Sequence, residues 1–182
     1  MSNLILSNQS GLEVSKTRII KFENGAITEK YPVLLLDVSG SMNREVGNRR
    51  KIDILRDAVT KVGAGMDIYS FSSSVVHSRF IPDPQGQTNL TKAFQELKGR
   101  SMQLLLISDG VADDPDEAIL AGIALHCPVN VLYIGEPWDV GEEFMRRLAE
   151  ATGGKWTTLD TMQPDGFGDR LEAGIEKLML TA

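Results

Sequence analysis

Apolar residues along this chain follow two rhythms. "VLLLDV" (33–38), "MQLLLIS" (102–108) and "VNVLYIG" (129–135) are nearly unbroken apolar runs of strand length, the pattern of parallel strands buried on both faces. Between and after them the spacing changes to three and four residues. Leu55, Val59, Val62 and Met66 form one such stripe, on a helix starting near Lys51. Leu90, Ala93, Phe94 and Leu97 form a second, Phe144, Leu148 and Ala151 a third, and Phe167, Leu171, Ile175 and Leu178 a fourth. Each predicts a helix with one core-facing side. "MDIYSF" (66–71) and "VVHSRF" (75–80) are separated by three serines, too few for a helical crossover, so they predict an antiparallel hairpin at a sheet edge. "KWTTL" (155–159), after the helix stop Gly153-Gly154, predicts the last strand. The expected fold is therefore α/β: a Rossmann-like, doubly wound, mostly parallel central sheet with one short antiparallel edge strand and helices on both faces.

The first 30 residues fall outside this rhythm. "RIIKFENGAIT" (18–28) sets Asn24-Gly25, a strong hairpin signal, between two strand-like pieces. The division expected is an N-terminal arm or hairpin over 1–30 and the α/β domain over 31–182. Internal repeats, low-complexity tracts and Pro-rich linkers are absent from the sequence.

Length and composition narrow the function. A chain of 182 residues suits one domain that buries roughly 70% of its unfolded surface. A net charge of -6 argues against general nucleic-acid or anionic-membrane binding, both of which use clustered Lys and Arg. The single cysteine, Cys127, allows neither an internal disulfide nor a cysteine-based zinc cluster and reads as a small apolar residue ahead of a strand. No apolar run reaches the ~20 residues of a spanning helix, and "MSNLILSNQS" lacks the features of a secretion signal. The cytoplasm is the expected location.

The candidate chemistry gathers where strands should end. "DVSGSM" (37–42) could be a turn, the seat of a nucleophile, or part of a metal site, because Asp, Ser and Gly serve all three. In a sheet of this type ligands bind beyond the carboxyl ends of the strands. Asp37, Ser39 and Ser41 leave one strand, Ser108, Asp109 and Gly110 leave another, and "GQTNL" (86–90) adds Thr88. If the two strands are neighbours, these groups converge. Two carboxylates and three hydroxyls without His or thiolate form a hard oxygen set that suits magnesium or manganese, with calcium also compatible. Such a shell leaves a position open for a carboxylate from a partner.

In these three loops, taken in order, the chain resembles the von Willebrand factor A domain family over about residues 31–180. "DVSGSM" matches the Asp-x-Ser-x-Ser signature, "GQTNL" the threonine loop and "ISDG" the second aspartate of its metal-ion-dependent adhesion site. The resemblance implies that Ser39 and Ser41 ligate the cation directly, Thr88 directly or through water, and Asp37 and Asp109 mainly through water. It also implies that an Asp or Glu of a protein partner fills the sixth position. It further implies adaptor or assembly roles, among them docking clients onto an AAA+ ATPase of the MoxR type. The family's minimal domain has no counterpart of the N-terminal arm.

Other features have plainer readings. Thr88 and Asn89 precede an apolar stripe as helix caps do, and "DDPDEA" (113–118) carries the Pro and acids of a helix start. His77 and His126 lack metal-spaced companions. "NRRK" (48–51) is the densest basic stretch, read as a solvated helix start, with Arg49 or Arg50 able to steer an acidic partner. Trp138 is a partner contact or a local packing residue. The main rival function is a magnesium-dependent phosphohydrolase with Asp37 as nucleophile. That chemistry calls for a second acid two residues on, where this chain has Ser39. A structural subunit with a loop-bracing metal is a third reading.

Overall fold

The computed structural model describes residues 19–23 and 26–180, with side chains described for 31–179. The strands are β1 (Ile19–Glu23), β2 (Ala26–Asp37), β3 (Glu45–Val46), β4 (Arg49–Arg50), β5 (Asp67–Phe71), β6 (Val75–His77), β7 (Met102–Ser108), β8 (Val129–Gly135) and β9 (Trp156–Asp160). The helices are α1 (Lys51–Val62), α2 (Leu90–Leu97), α3 (Pro115–Ile123), α4 (Val140–Thr152) and α5 (Phe167–Leu180), with a short 3-10 turn over Gly40–Asn43.

The main sheet runs β6-β5-β2-β7-β8-β9. All neighbours are parallel except β5 and β6, where Tyr69 pairs with His77. The α/β fold and the antiparallel edge strand are as the sequence predicts. β1 pairs antiparallel with β2, Ile19 opposite Lys30 through Glu23 opposite Ala26. Asn24 and Gly25, on which the hairpin expectation rests, lie outside the described residues. β2 runs without a break from Ala26 to Asp37, so position 30/31 falls inside a strand.

Alternation along β2 explains the two-layered cover. Leu34 and Leu36 face α1 and α5, while Val33 and Leu35 face α2, α3 and α4. Leu34, Leu35 and Leu36 expose none of their surface, and each such side chain contributes about 1.5–3 kcal/mol by leaving water. A polar residue at any of them would leave a group without a partner in the core.

Three predicted details differ. Met66, placed on the first helical stripe, lies beyond the end of α1 at Val62 and just ahead of β5. Ala151 is exposed, and Met145 and Ala149 complete the inward face of α4 with Phe144 and Leu148. β6 stops at His77, whose ring stacks on Tyr69 at 4.3 Å, and the backbone hydrogen bond from Ser78 to Ile68 (3.1 Å) ends the ladder. Gly153 ends α4 at φ 74, a left-handed conformation that glycine adopts without steric cost.

Candidate metal centre

From β2 the chain crosses through α1 to β5 on one side. After β6 it crosses through α2 to β7 on the other, placing the topological switch point between β2 and β7. Their register pairs Leu36 with Ile107, so Asp37 and Ser108 leave the sheet together. Ligands favour this crevice because diverging connections open a gap above the strand ends.

Asp37 is fully buried. Its Oδ1 accepts the Ser39 backbone N–H at 2.7 Å and its Oδ2 accepts the Ser108 hydroxyl at 2.5 Å. Burial, reinforced by the nearby Asp109 charge, pushes the Asp37 carboxyl from 3.8 up to about 6, against the pull of these hydrogen bonds. The 3-10 turn then brings the Oγ atoms of Ser39 and Ser41 to 3.0 Å from each other. Ser41 in turn donates to Asp109 Oδ1 at 2.6 Å.

The threonine loop is tied down by its backbone. Gly40 N–H donates to Gly86 O (3.2 Å), Gln85 N–H to Val38 O (2.9 Å) and Asn89 N–H to Ser72 O (3.1 Å). Asn89, accepting from Lys92 N–H at 3.0 Å, caps α2, so the Thr88 hydroxyl is not used for that cap. A Cβ built on Gly110 would lie 4.0 Å from both Ser41 Oγ and Thr88 Oγ1. The three loops named in the sequence thus meet at one place: Asp37, Ser39 and Ser41 from the first, Thr88 from the second and Asp109 from the third.

No family model matches this chain, and no curated protein does. Solved structures do. A von Willebrand factor type A structure from Catenulispora acidiphila matches at TM-score 0.60 and 17% identity, covering 84% of this chain and 44% of that one. A structure of proximal thread matrix protein 1 from the mussel byssus matches at TM-score 0.53 and 13% identity, covering 80% of this chain and 44% of that one. The fold is that of a von Willebrand factor A domain. The chain spans less than half the length of these two structures.

The residues at the switch point of this von Willebrand factor A fold suit a hard divalent cation. Neighbouring ligands of an octahedral magnesium ion stand about 2.9 Å apart, close to the 3.0 Å between the Ser39 and Ser41 hydroxyls, while Asp109 Oδ1 accepts the Ser41 hydroxyl at 2.6 Å. Among the described residues no group of three or more His, Cys, Asp and Glu side chains is arranged to hold a metal. The oxygens gathered here are mostly hydroxyls, from Ser39, Ser41 and Thr88. Half-buried Ser41, exposed Gly40 and half-buried Gly110 form the approach from solvent.

Two further residues belong to the site's framework. Asp113 Oδ1 accepts the Thr88 N–H at 3.0 Å, and its own N–H donates to Thr88 O at 3.1 Å. Asp114 is the cap of α3, accepting from Glu117 N–H at 3.0 Å. Lys51 is buried, its Nζ 2.7 Å from Asp109 Oδ2 and 3.2 Å from Ile134 O. The solvated reading of "NRRK" therefore fails at Lys51, whose ammonium turns inward to a carboxylate. Arg49 and Arg50 do face solvent, paired with Asp57 at 2.6 Å and Asp53 at 2.8 Å. The signal that could have singled out Lys51 is its place at a helix N-terminus, where a cation opposes the dipole unless an acid offsets it. Trp138 is 94% exposed, which rules out the packing role.

Proposed function

We propose that this chain is a divalent-cation-dependent protein-binding module. The observation that carries the reading is the oxygen chain Ser39 Oγ, Ser41 Oγ and Asp109 Oδ1, linked at 3.0 and 2.6 Å, with Thr88 Oγ1, like Ser41 Oγ, 4.0 Å from where a Cβ on Gly110 would stand. Ser39, Ser41, Thr88 and Asp109 face the cation. Asp37, with both oxygens already taken by Ser39 and Ser108, braces the first loop and contributes charge. Bound magnesium or manganese would supply an electrophilic position for a carboxylate oxygen. The partner contributes an Asp or Glu there, and exposed Trp138 lies on the loop after β8, at the same end of the sheet. The family resemblance extends the reading to intracellular adaptor and assembly roles, docking a client onto a MoxR-type AAA+ ATPase among them. Among the described residues no helix is long and apolar enough to cross a membrane.

The module reading is non-enzymatic. A phosphohydrolase with Asp37 as its nucleophile needs that carboxylate free to attack phosphorus and an acid at position 39 to protonate the leaving group. Asp37 is enclosed and doubly hydrogen-bonded, and position 39 is serine. Lys51 is the feature such an enzyme would use, yet its ammonium is taken by Asp109 and the Ile134 carbonyl.

The test is thermal unfolding with magnesium or manganese against chelator, for the wild type and for Ser39→Ala/Ser41→Ala. Metal at a hundred times its Kd stabilises the folded state by about 2.7 kcal/mol, so the wild-type melting temperature rises and that of the double variant does not. Affinity capture with magnesium against chelator then identifies carboxylate-bearing partners. Absence of metal binding by calorimetry would refute the reading, and Asp37-dependent turnover of a phosphate ester would replace it with the hydrolase.

A further inference from the structure

Lys51 is a cation built into the site, and the roles proposed above make no use of it. Its side chain is 7% exposed, and the Asp109 side chain it contacts is fully enclosed. Asp109 is thereby divided: Oδ1 takes the Ser41 hydroxyl on the side of the candidate centre, and Oδ2 takes the Lys51 ammonium on the side of the core. The Ile134 carbonyl, from the end of β8, fixes the ammonium from a second direction. The position is thus specified by α1, β7 and β8 together rather than by a flexible surface side chain.

We infer that Lys51 is a positioning residue that weakens metal binding at this site and makes the cation depend on the partner's carboxylate. The inference rests on the metal-binding reading and assigns a control to it. Asp37 and Asp109 would together offer two negative charges; the buried ammonium reduces the local sum to one. It also holds one oxygen of Asp109 and repels a divalent cation across a poorly screened interior. A carboxylate brought by a partner restores the missing negative charge. Cation and partner therefore bind as a coupled pair, each raising the affinity for the other by the same factor.

The experiment measures manganese binding by calorimetry for the full chain and for Lys51→Met, Lys51→Gln and Lys51→Arg, with unfolding in chelator measured in parallel. The inference expects Lys51→Met to bind manganese roughly ten- to a hundred-fold more tightly while unfolding more readily in chelator, because Asp109 loses its counter-ion. A residue with a merely structural role would move both quantities in the unfavourable direction. Lys51→Arg keeps the charge and stays near wild-type affinity. Lys51→Gln keeps a donor without the charge and provides the comparison if the methionine variant does not fold.

Equal or weaker binding by the neutral variants, or equal tightening by Lys51→Arg, overturns the inference and leaves the metal site standing. Failure of the wild type and every variant to bind overturns both.

Discussion

The Asp37 charge, buried without a cation beside it, disfavours the metal-free fold, and Asp37→Asn isolates that cost. The carboxyl is fully buried and its pKa is raised from 3.8 to about 6, chiefly by burial and next by Asp109. A raised carboxyl means that the folded state holds its proton where the unfolded state has released it. Stability from this group therefore falls as pH rises from about 4 to about 6 and is level above that. A shift of about two units corresponds to roughly 3 kcal/mol at pH 7.5. Asparagine can keep both contacts, its carbonyl accepting from Ser39 N–H and its amide donating to Ser108 Oγ, without the buried charge. In chelator at pH 7.5, Asp37→Asn should therefore be more stable than the wild type by about 2–3 kcal/mol, or roughly 4–12 °C in melting temperature. Urea unfolding of both proteins from pH 5 to 8 reads this directly. Groups common to both proteins cancel, so the gap should widen towards pH 6 and then stay constant. Saturating magnesium should narrow the gap by stabilising the wild type more than the variant, which keeps the oxygens facing the centre but lacks the Asp37 charge. A variant no more stable than the wild type at pH 7.5, or a gap independent of pH below 6, would refute the account of Asp37.

Other perturbations separate binding from stability. Thr88→Val keeps the side-chain shape and the backbone bonds to Asp113. Manganese binding should weaken at least about tenfold while urea stability in chelator changes by less than about 1 kcal/mol; unchanged calorimetric affinity would remove Thr88 from the site. Asn130→Ala should lower the unfolding free energy by about 2–4 kcal/mol, because its buried amide donates to Leu178 O at 3.0 Å and accepts from Lys155 N–H at 3.0 Å. Urea denaturation measures that loss, and a change below about 1 kcal/mol would contradict it. Trp138 sits at φ 71, a conformation that costs an L-residue about 1–2 kcal/mol. Trp138→Gly should leave urea stability equal or up to about 1 kcal/mol higher while weakening partner capture; a marked loss of stability would show that the indole has a packing role.

The sequence carried the strand order's raw material better than its edges. Continuous apolar runs at 102–108 and 129–135 coincide with β7 and β8, because a strand buried on both faces admits no polar residue until it reaches the surface. The stripe Phe144, Leu148, Ala151 misplaced its last member, since periodicity alone does not distinguish Ala149 from Ala151 as the small residue against the sheet. β6 ends at His77, which pairs with Tyr69 and stacks on its ring, and no property of "VVHSRF" announces that the pairing stops there. Within the candidate centre, the residues on strand-end loops were legible because oxygen-bearing side chains cluster there for few reasons besides turns, caps and ligands.

Asp113 and Lys51 were not legible, for different reasons. Asp113 shares its stretch with Asp114 and Asp116, and only the distance to Thr88 N–H separates a loop brace from a helix cap. Lys51 was hidden by its neighbours: Arg49 and Arg50 are the solvated, acid-paired residues that a basic run before a helix leads one to expect. Yet a lysine as the first residue of α1 opposes the helix dipole by about 0.3–1 kcal/mol, and bringing its ammonium out of water costs several kcal/mol more. One carboxylate, Asp109, offsets both costs, and it is the carboxylate whose other oxygen faces Ser41. A local rule broken at that expense, next to the three loops that converge, ties the stability of α1 to the charge state of the candidate centre. Any ligand that draws on Asp109 would therefore act against Lys51, so on the proposed reading the strength of cation binding depends on the start of α1 as well as on the loops that supply the oxygens.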